Sequence, residues 1–285
     1  MKYSVHLAVG PVTFRVGSSW RQPIAALCDL YRSYPLADAV ADYTVRLQPP
    51  AAWRQWVRPS VAVAGDYELP GAVPLPLAHG LLAAEMGMNL QLALGERRWL
   101  LLHAASLERD GRALILTGES GAGKSTLAAL LGENGWRFMG DEFALIEPAT
   151  GLAWPFPRPV SLKNESIAVV AAHVSEDRFG PLLNDTPKGA IRHLRPRADA
   201  IASMGNPAQP ALILFPSYGL PPALRPVPPS ESFVRLTQAS TNYVAMAERG
   251  FEALRALVTG VPSVAIDYPD HASAQALIEQ LWAEL

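Results

Sequence analysis

The run Gly118-Glu119-Ser120-Gly121-Ala122-Gly123-Lys124-Ser125 constrains this chain more than any other stretch. It satisfies G-x-x-x-x-G-K-[ST], a pattern whose glycines let backbone N–H groups turn inward around phosphate oxygens. Its setting fits as well. An apolar strand over 113–117 precedes it, and a helix opens at Lys124, with Leu127, Leu130 and Leu131 on one face and Asn134-Gly135 at its end. A helix N-terminus adds a field that favours anions. The pattern therefore predicts a nucleoside-triphosphate cradle made of Gly118, Glu119, Ser120, Gly121, Ala122, Gly123, Lys124, Ser125 and Thr126. Lys124 neutralises the β- and γ-phosphates there, and the Ser125 hydroxyl suits Mg²⁺.

Which chemistry such a cradle serves depends on what reaches it. No Asn-Lys-x-Asp motif reads a guanine base, and no Leu-Ser-Gly-Gly signature marks an ABC-type ATPase. The informative feature is an acidic pair, Asp141 and Glu142, which follow Lys124 by only 17 and 18 residues on the next expected strand, 137–146. An adjacent strand carrying two carboxylates suggests a compact phosphotransferase arrangement, with one acid as base and one near Mg²⁺. On a regular strand the two would face opposite sides. Both reach one site only if the chain bends there, which Gly140 would permit.

A histidine joins them by hairpin arithmetic. Apolar runs over 100–107 and 113–117 flank Asp110-Gly111, a strong two-residue turn signal. If Arg109 pairs with Arg112, counting outward sets His103 opposite Gly118. There it can orient a carboxylate or a water, donate toward phosphate, or simply support the loop.

The remainder of the sequence excludes more than it assigns. With 49% apolar and 18% charged residues, the chain can build a large core. A net charge of −2 offers no global bias toward nucleic acid or an anionic membrane. No apolar stretch approaches the ~20 residues that span a bilayer, and a cytoplasmic protein is expected. The single cysteine, Cys28, rules out a disulfide framework and reads as a buried helical thiol.

The organisation expected is α/β, with a small N-terminal α+β module over 1–75 and a catalytic domain over 76–285. The module holds a hairpin around Gly10-Pro11, a helix over 23–31 and strands over 43–47 and 60–64. A Pro-rich boundary over 66–76 follows, and then a buried helix over 77–94. Beyond the acidic pair, a helix is expected over 162–174 with Ser161 as its cap, a strand over 211–215 among prolines, and a closing helix–strand–helix.

The residues His103, Gly-Glu-Ser-Gly-Ala-Gly-Lys-Ser and Gly135-Trp136-Arg137-Phe138-Met139-Gly140-Asp141-Glu142 resemble the HPr kinase/phosphorylase family, most closely its HPr-kinase-related kinase A subgroup. That resemblance implies a fold like phosphoenolpyruvate carboxykinase. It also implies catalytic roles for His103, Lys124, Asp141 and Glu142, and a metal site at Ser125 and Glu142. The implied reaction is transfer of the γ-phosphoryl of ATP, with GTP not excluded, to a hydroxyl of a small protein, a peptide or a small molecule. The second acid is Glu where better-known members carry Asp. The Gly-rich signature loop of the bifunctional enzymes has no counterpart, which puts phosphorylase activity and HPr itself as substrate in doubt.

Four further residues are candidate phosphate or acceptor contacts. Lys163 and Asn164 open the helix expected over 162–174, and Lys188 and Arg192 belong to the densest basic patch, with His193, Arg195 and Arg197. A capped surface helix and a solvated loop are the plainer readings of these positions. Trp53 and Trp56 flank polar residues in a Pro-bounded segment and could mark a partner surface. A rival functional class is a nucleotide switch whose bound triphosphate, or its hydrolysis, controls a partner. Homo-oligomerisation stays open.

Overall fold

The structure, a computed structural model, describes residues 1–37, 40–119 and 121–285. It is a mixed α/β protein with several sheets. The chain divides into two compact units: Met1–Glu96 with Ser161–Ile167 and Ser175–Arg195, and Arg97–Val160 with Ala168–Val174 and Pro196–Leu285. The first unit thus runs past the boundary expected at 75 and takes back two later segments.

In chain order, the first unit opens with β1 (Tyr3–Val9), β2 (Val12–Ser18), α1 (Arg21–Leu30), β3 (Tyr43–Gln48), β4 (Ser60–Gly65), β5 (Leu75–Pro76) and α2 (Gly80–Gly95). β1 and β2 form the hairpin expected around Gly10, and β2 pairs with β3 in parallel after the crossover through α1. On α1 the buried stripe is Pro23, Ile24, Leu27 and Leu30. Cys28 falls off that stripe and is exposed, contrary to the buried thiol expected.

Helix α2 explains why the boundary moves. It packs on β3 and β4, and a side chain at Gly87 would meet Val45 and Val63 at 2.5 and 3.0 Å. Gln91, fully buried, accepts from the Asp66 and Tyr67 amides at 2.9 and 2.8 Å and donates to the Tyr67 carbonyl at 2.8 Å. These three bonds tie the Pro-rich connection to the helix. Gln91→Ala removes a buried amide and three hydrogen bonds to the part-buried backbone of Asp66 and Tyr67, and is expected to cost roughly 1–3 kcal/mol, read as a lower urea midpoint. A loss under ~0.5 kcal/mol would show that water replaces the amide without penalty.

The second unit continues with β6 (Leu100–Leu102), β7 (Ala104–Arg109), β8 (Arg112–Thr117), α3 (Lys124–Glu133), β9 (Arg137–Gly140), β10 (Ala144–Ile146) and β11 (Ala153–Trp154). The chain then returns, for the most part, to the first unit with β12 (Val160–Lys163), α4 (Glu165–Ala171), β13 (Leu183–Thr186) and β14 (Gly189–Leu194), whose strands form a three-stranded sheet in the order β12-β14-β13. The chain closes with α5 (Ala198–Ala202), β15 (Gln209–Tyr218), β16 (Ala223–Val227), α6 (Pro229–Ala239), α7 (Tyr243–Gly260), β17 (Ser263–Tyr268) and α8 (His271–Ala283). No helix among the described residues is long and apolar enough to cross a membrane.

Two expected strands break in the middle. The run 100–107 becomes β6 and β7, and the run 137–146 becomes β9 and β10. β7 and β9 join a six-stranded sheet in the order β16-β17-β15-β8-β7-β9, while β6 and β10 join a three-stranded sheet with β11. Both breaks are sheet changes, and each falls at the polar interruption of its run: His103 in the first, Asp141-Glu142 after Gly140 in the second. The helix expected from 162 also starts late. Val160 and Leu162 are buried in alternation with Ser161 and Lys163, so this stretch is strand β12, and Ser161 is not a helix cap.

The six-stranded sheet is covered on both faces, which is why β8 is apolar at nearly every position. Ala113 and Ile115 face a core shared with Leu102, Ile146, Leu236 and Leu254. Arg112, of opposite parity, lies 4.9 Å over the Trp282 ring of α8, so that helix covers the other face.

Candidate functional site

β8 leads into the glycine loop and α3 leads out of it, the setting expected from the sequence. Ser120, part of the expected cradle, lies outside the described residues. The loop geometry demands glycine at two places. Gly121 has φ 91° and Gly123 has φ 81°, both in the left-handed region that L side chains rarely adopt. At Gly123 a Cβ would also stand 2.7 Å from the Tyr268 hydroxyl. That hydroxyl donates to the Ala122 carbonyl at 2.9 Å, and burial raises its pKa well above the usual value, which keeps it protonated.

Gly123→Ala therefore combines a conformational cost with a collision, and is expected to lower stability by about 1–3 kcal/mol. Adding Tyr268→Phe should recover part of that loss by removing the colliding oxygen, and a thermal-melt double-mutant cycle measures the recovery. No recovery would mean that the backbone angle alone carries the cost.

Lys124 is the first residue of α3 and is buried. Its Nζ donates to the Gly118 and Glu119 carbonyls at 2.7 and 2.8 Å, so the ammonium lies folded across the loop. Ser125 is half-buried and Thr126 buried, whereas Glu119 is exposed.

The acidic pair sits where β9 ends. β9 stops at Gly140, and Asp141-Glu142 form a bend before β10 begins. Gly140 permits the tightness of this bend, because a Cβ there would stand 3.0 and 3.1 Å from the Phe143 and Phe156 carbonyl oxygens. Two neighbouring carboxylates thereby escape the alternation that a continuous strand would impose. Asp141 is buried, and the Glu142 side chain is 30% exposed.

His103 occupies the break between β6 and β7. The β7–β8 ladder runs from Arg109 opposite Arg112 to Ala104 opposite Thr117, the register expected, and His103 is the next residue outward. Its amide donates to the Ala239 carbonyl at 2.8 Å, and its carbonyl accepts from Thr117 Oγ1 at 3.1 Å. The ring Nδ1 stands 3.8 Å from Glu142 Oε2.

Strand direction gathers these groups. β7 is antiparallel to both β8 and β9, so the carboxyl ends of β8 and β9 and the start of β7 lie along one sheet edge. The loop, the acids and the histidine are thus neighbours along that edge. In open α/β sheets this is where ligands bind.

The other four candidates belong to the first unit. Asn164, at φ 50°, accepts from the Ala190 amide at 3.1 Å and donates to the Lys188 carbonyl at 3.3 Å. It joins Lys163 and Lys188 as the clasp between β12 and the β13–β14 hairpin. Arg192 is committed to Glu176 and to the Gly180 carbonyl. Trp53 and Trp56 are 54% and 73% exposed.

Sequence reasoning missed three rings beside the loop: Tyr218 at the end of β15, Tyr268 at the end of β17, and His271 at the start of α8. They stand about 95–150 residues beyond the glycine loop, and only the parallel pairing of β15 with β8 and β17 brings them to it. No local spacing could have revealed them.

No family model matches the chain, and no curated protein matches it. Among solved structures the chain is similar to the Hpr(Ser) kinase/phosphatase from Coxiella burnetii. The identity is 17% and the TM-score 0.28, over 65% of this chain and 99% of that one.

Proposed function

We propose that this protein is a Mg²⁺-dependent phosphotransferase that moves the γ-phosphoryl group of a nucleoside triphosphate, ATP, to a hydroxyl of a small protein or peptide. The observation that carries the reading is the sheet edge itself, which brings together a glycine loop with its buried lysine, two carboxylates and a histidine. A loop built only for structure would not need a buried ammonium at its mouth. The family resemblance of these same residues supports a hydroxyl as acceptor.

The residues fit a magnesium nucleotide. Gly121 and Gly123 hold left-handed backbone angles, and glycine there puts no Cβ on the loop's inner wall where phosphate oxygens would lie. Among the described residues no group of three or more His, Cys, Asp or Glu side chains could hold a metal by itself. That suits Mg²⁺, which binds through one or two protein oxygens and completes its shell with phosphates and water. Ser125 Oγ and the Glu142 carboxylate would be those oxygens. The ion, when bound, neutralises charge on the phosphate oxygens.

Asp141 takes the proton of the acceptor hydroxyl as its oxygen forms a bond to phosphorus and the bond from phosphorus to the β,γ-bridging oxygen breaks. The nucleoside diphosphate leaves with the electron pair of that bond. Lys124 and the loop amides stabilise charge on the transferring group. His103, with Nδ1 3.8 Å from Glu142 Oε2, would orient that carboxylate when a proton or water lies between them.

Incubation with γ-labelled ATP and a cell extract tests this reading. Label retained on a macromolecule supports it. Label found only as free phosphate overturns it in favour of a hydrolytic switch, and label on a metabolite moves the acceptor to a small molecule.

A further inference from the structure

The three rings missed by the sequence flank the loop on the side away from the acids. In the six-stranded sheet β15 and β17 lie on one side of β8, and β7 and β9 on the other. β8, β15 and β17 are parallel, so Tyr218 and Tyr268 emerge side by side at the edge that carries the loop, paired in register.

Their environments differ in a telling way. Tyr268 is fully buried and is spent on the loop through its bond to Ala122. Tyr218 meets it edge-on at 5.7 Å and 66°, yet is 51% exposed. His271 stacks on Tyr218 at 5.2 Å with only 18° between the planes. The Tyr218 Cβ stands 3.7 Å from where a side chain at Gly123 would begin, so the ring starts at the loop wall. The turn behind it is pinned, since the Gly219 and Leu220 amides both donate to the Tyr268 carbonyl at 2.8 and 3.3 Å.

A half-exposed aromatic ring, backed by a parallel imidazole and fixed at its base, has no need to exist for the loop's sake; Tyr268 already serves that purpose. Burial lowers the His271 pKa below the ordinary value, which favours the uncharged ring. Its Nδ1 is buried without a hydrogen-bond partner.

We infer that Tyr218 and His271 form the stacking platform for the nucleobase of the bound triphosphate, on the flank of the loop opposite the acids that meet the acceptor. The inference rests on the nucleotide reading above and deepens it: base and acceptor approach the phosphates from opposite sides. Stacking of a base on an aromatic ring is worth about 5- to 150-fold in affinity when the ring is removed.

Calorimetric titration of the full chain with Mg·ATP and with magnesium inorganic triphosphate, which lacks base and sugar, separates the two claims. The native chain is expected to bind ATP more tightly. Tyr218→Ala should weaken ATP by about 5- to 150-fold and leave inorganic triphosphate within about twofold, while Tyr218→Phe keeps ATP affinity. His271→Ala, on the other side of the stack, should act in the same direction as Tyr218→Ala.

Equal weakening of both ligands in Tyr218→Ala would overturn the platform, because the ring would then serve only the loop. So would unchanged ATP binding in both alanine variants. A native chain that binds ATP and inorganic triphosphate equally removes the base site but leaves the phosphate cradle standing. One that binds neither removes both.

Discussion

Lys124→Ala is expected to lower turnover of γ-labelled nucleotide by roughly 10³-fold or more, the scale on which a cationic group at the transferring phosphoryl acts. The ammonium is the one buried cation of the loop and bonds the carbonyls of Gly118 and Glu119. On the proposed reading, an ammonium already fixed by those bonds would need little rearrangement when negative charge develops on the transferring group. Alanine removes the charge and releases two carbonyls at the rim of the loop, where water can reach them. The melting temperature should therefore change little. Lys124→Met, which keeps the stem and loses only the charge, should match alanine in activity. If either variant retains near-native turnover, the chemistry lies elsewhere in the molecule.

Much of this site was legible in the sequence because its logic is local. The nine residues of the candidate cradle are consecutive, and the Asp110-Gly111 turn sets the β7–β8 register that carries His103 to the loop. What escaped was decided by distant pairing. A bend at Gly140 could be anticipated within the run 137–146, but not that Ala144, Leu145 and Ile146 leave to pair with Leu102, Leu101 and Leu100 in another sheet. That choice bends the chain at the acids. Helix α2 was legible as a helix, but its place in the first unit depends on Gly87 fitting against Val45 and Val63. Val160–Lys163 reads locally as the start of a helix and becomes a strand because β14 lies beside it. The aromatic flank was invisible for the same reason, since nothing near Tyr218 or Tyr268 in sequence mentions a phosphate.

The bend at Gly140 makes the two acids separable by experiment. Asp141 has the shorter stem and the buried position, both of which hold a carboxylate in one place. A general base needs that fixity at the proton it removes, and its loss commonly costs about 10²–10⁴-fold. Asp141→Asn should therefore lose that much turnover while still gaining thermal stability from Mg·ATP, because binding does not require the base. Glu142 is partly exposed and has His103 Nδ1 at 3.8 Å, a neighbour that can steer a carboxylate without burying it. On the proposed reading it is a metal ligand, so its loss is a matter of affinity. Glu142→Gln should raise the Mg²⁺ concentration for half-maximal rate and recover most of its activity at saturating Mg²⁺. His103→Ala should shift the Mg²⁺ requirement in the same direction and by less, since it acts through Glu142. The opposite pattern, with Glu142→Gln inactive at any Mg²⁺ and Asp141→Asn rescued by the ion, would exchange the roles: the exposed carboxylate would be the one facing the acceptor, and the buried one would hold the metal against the loop.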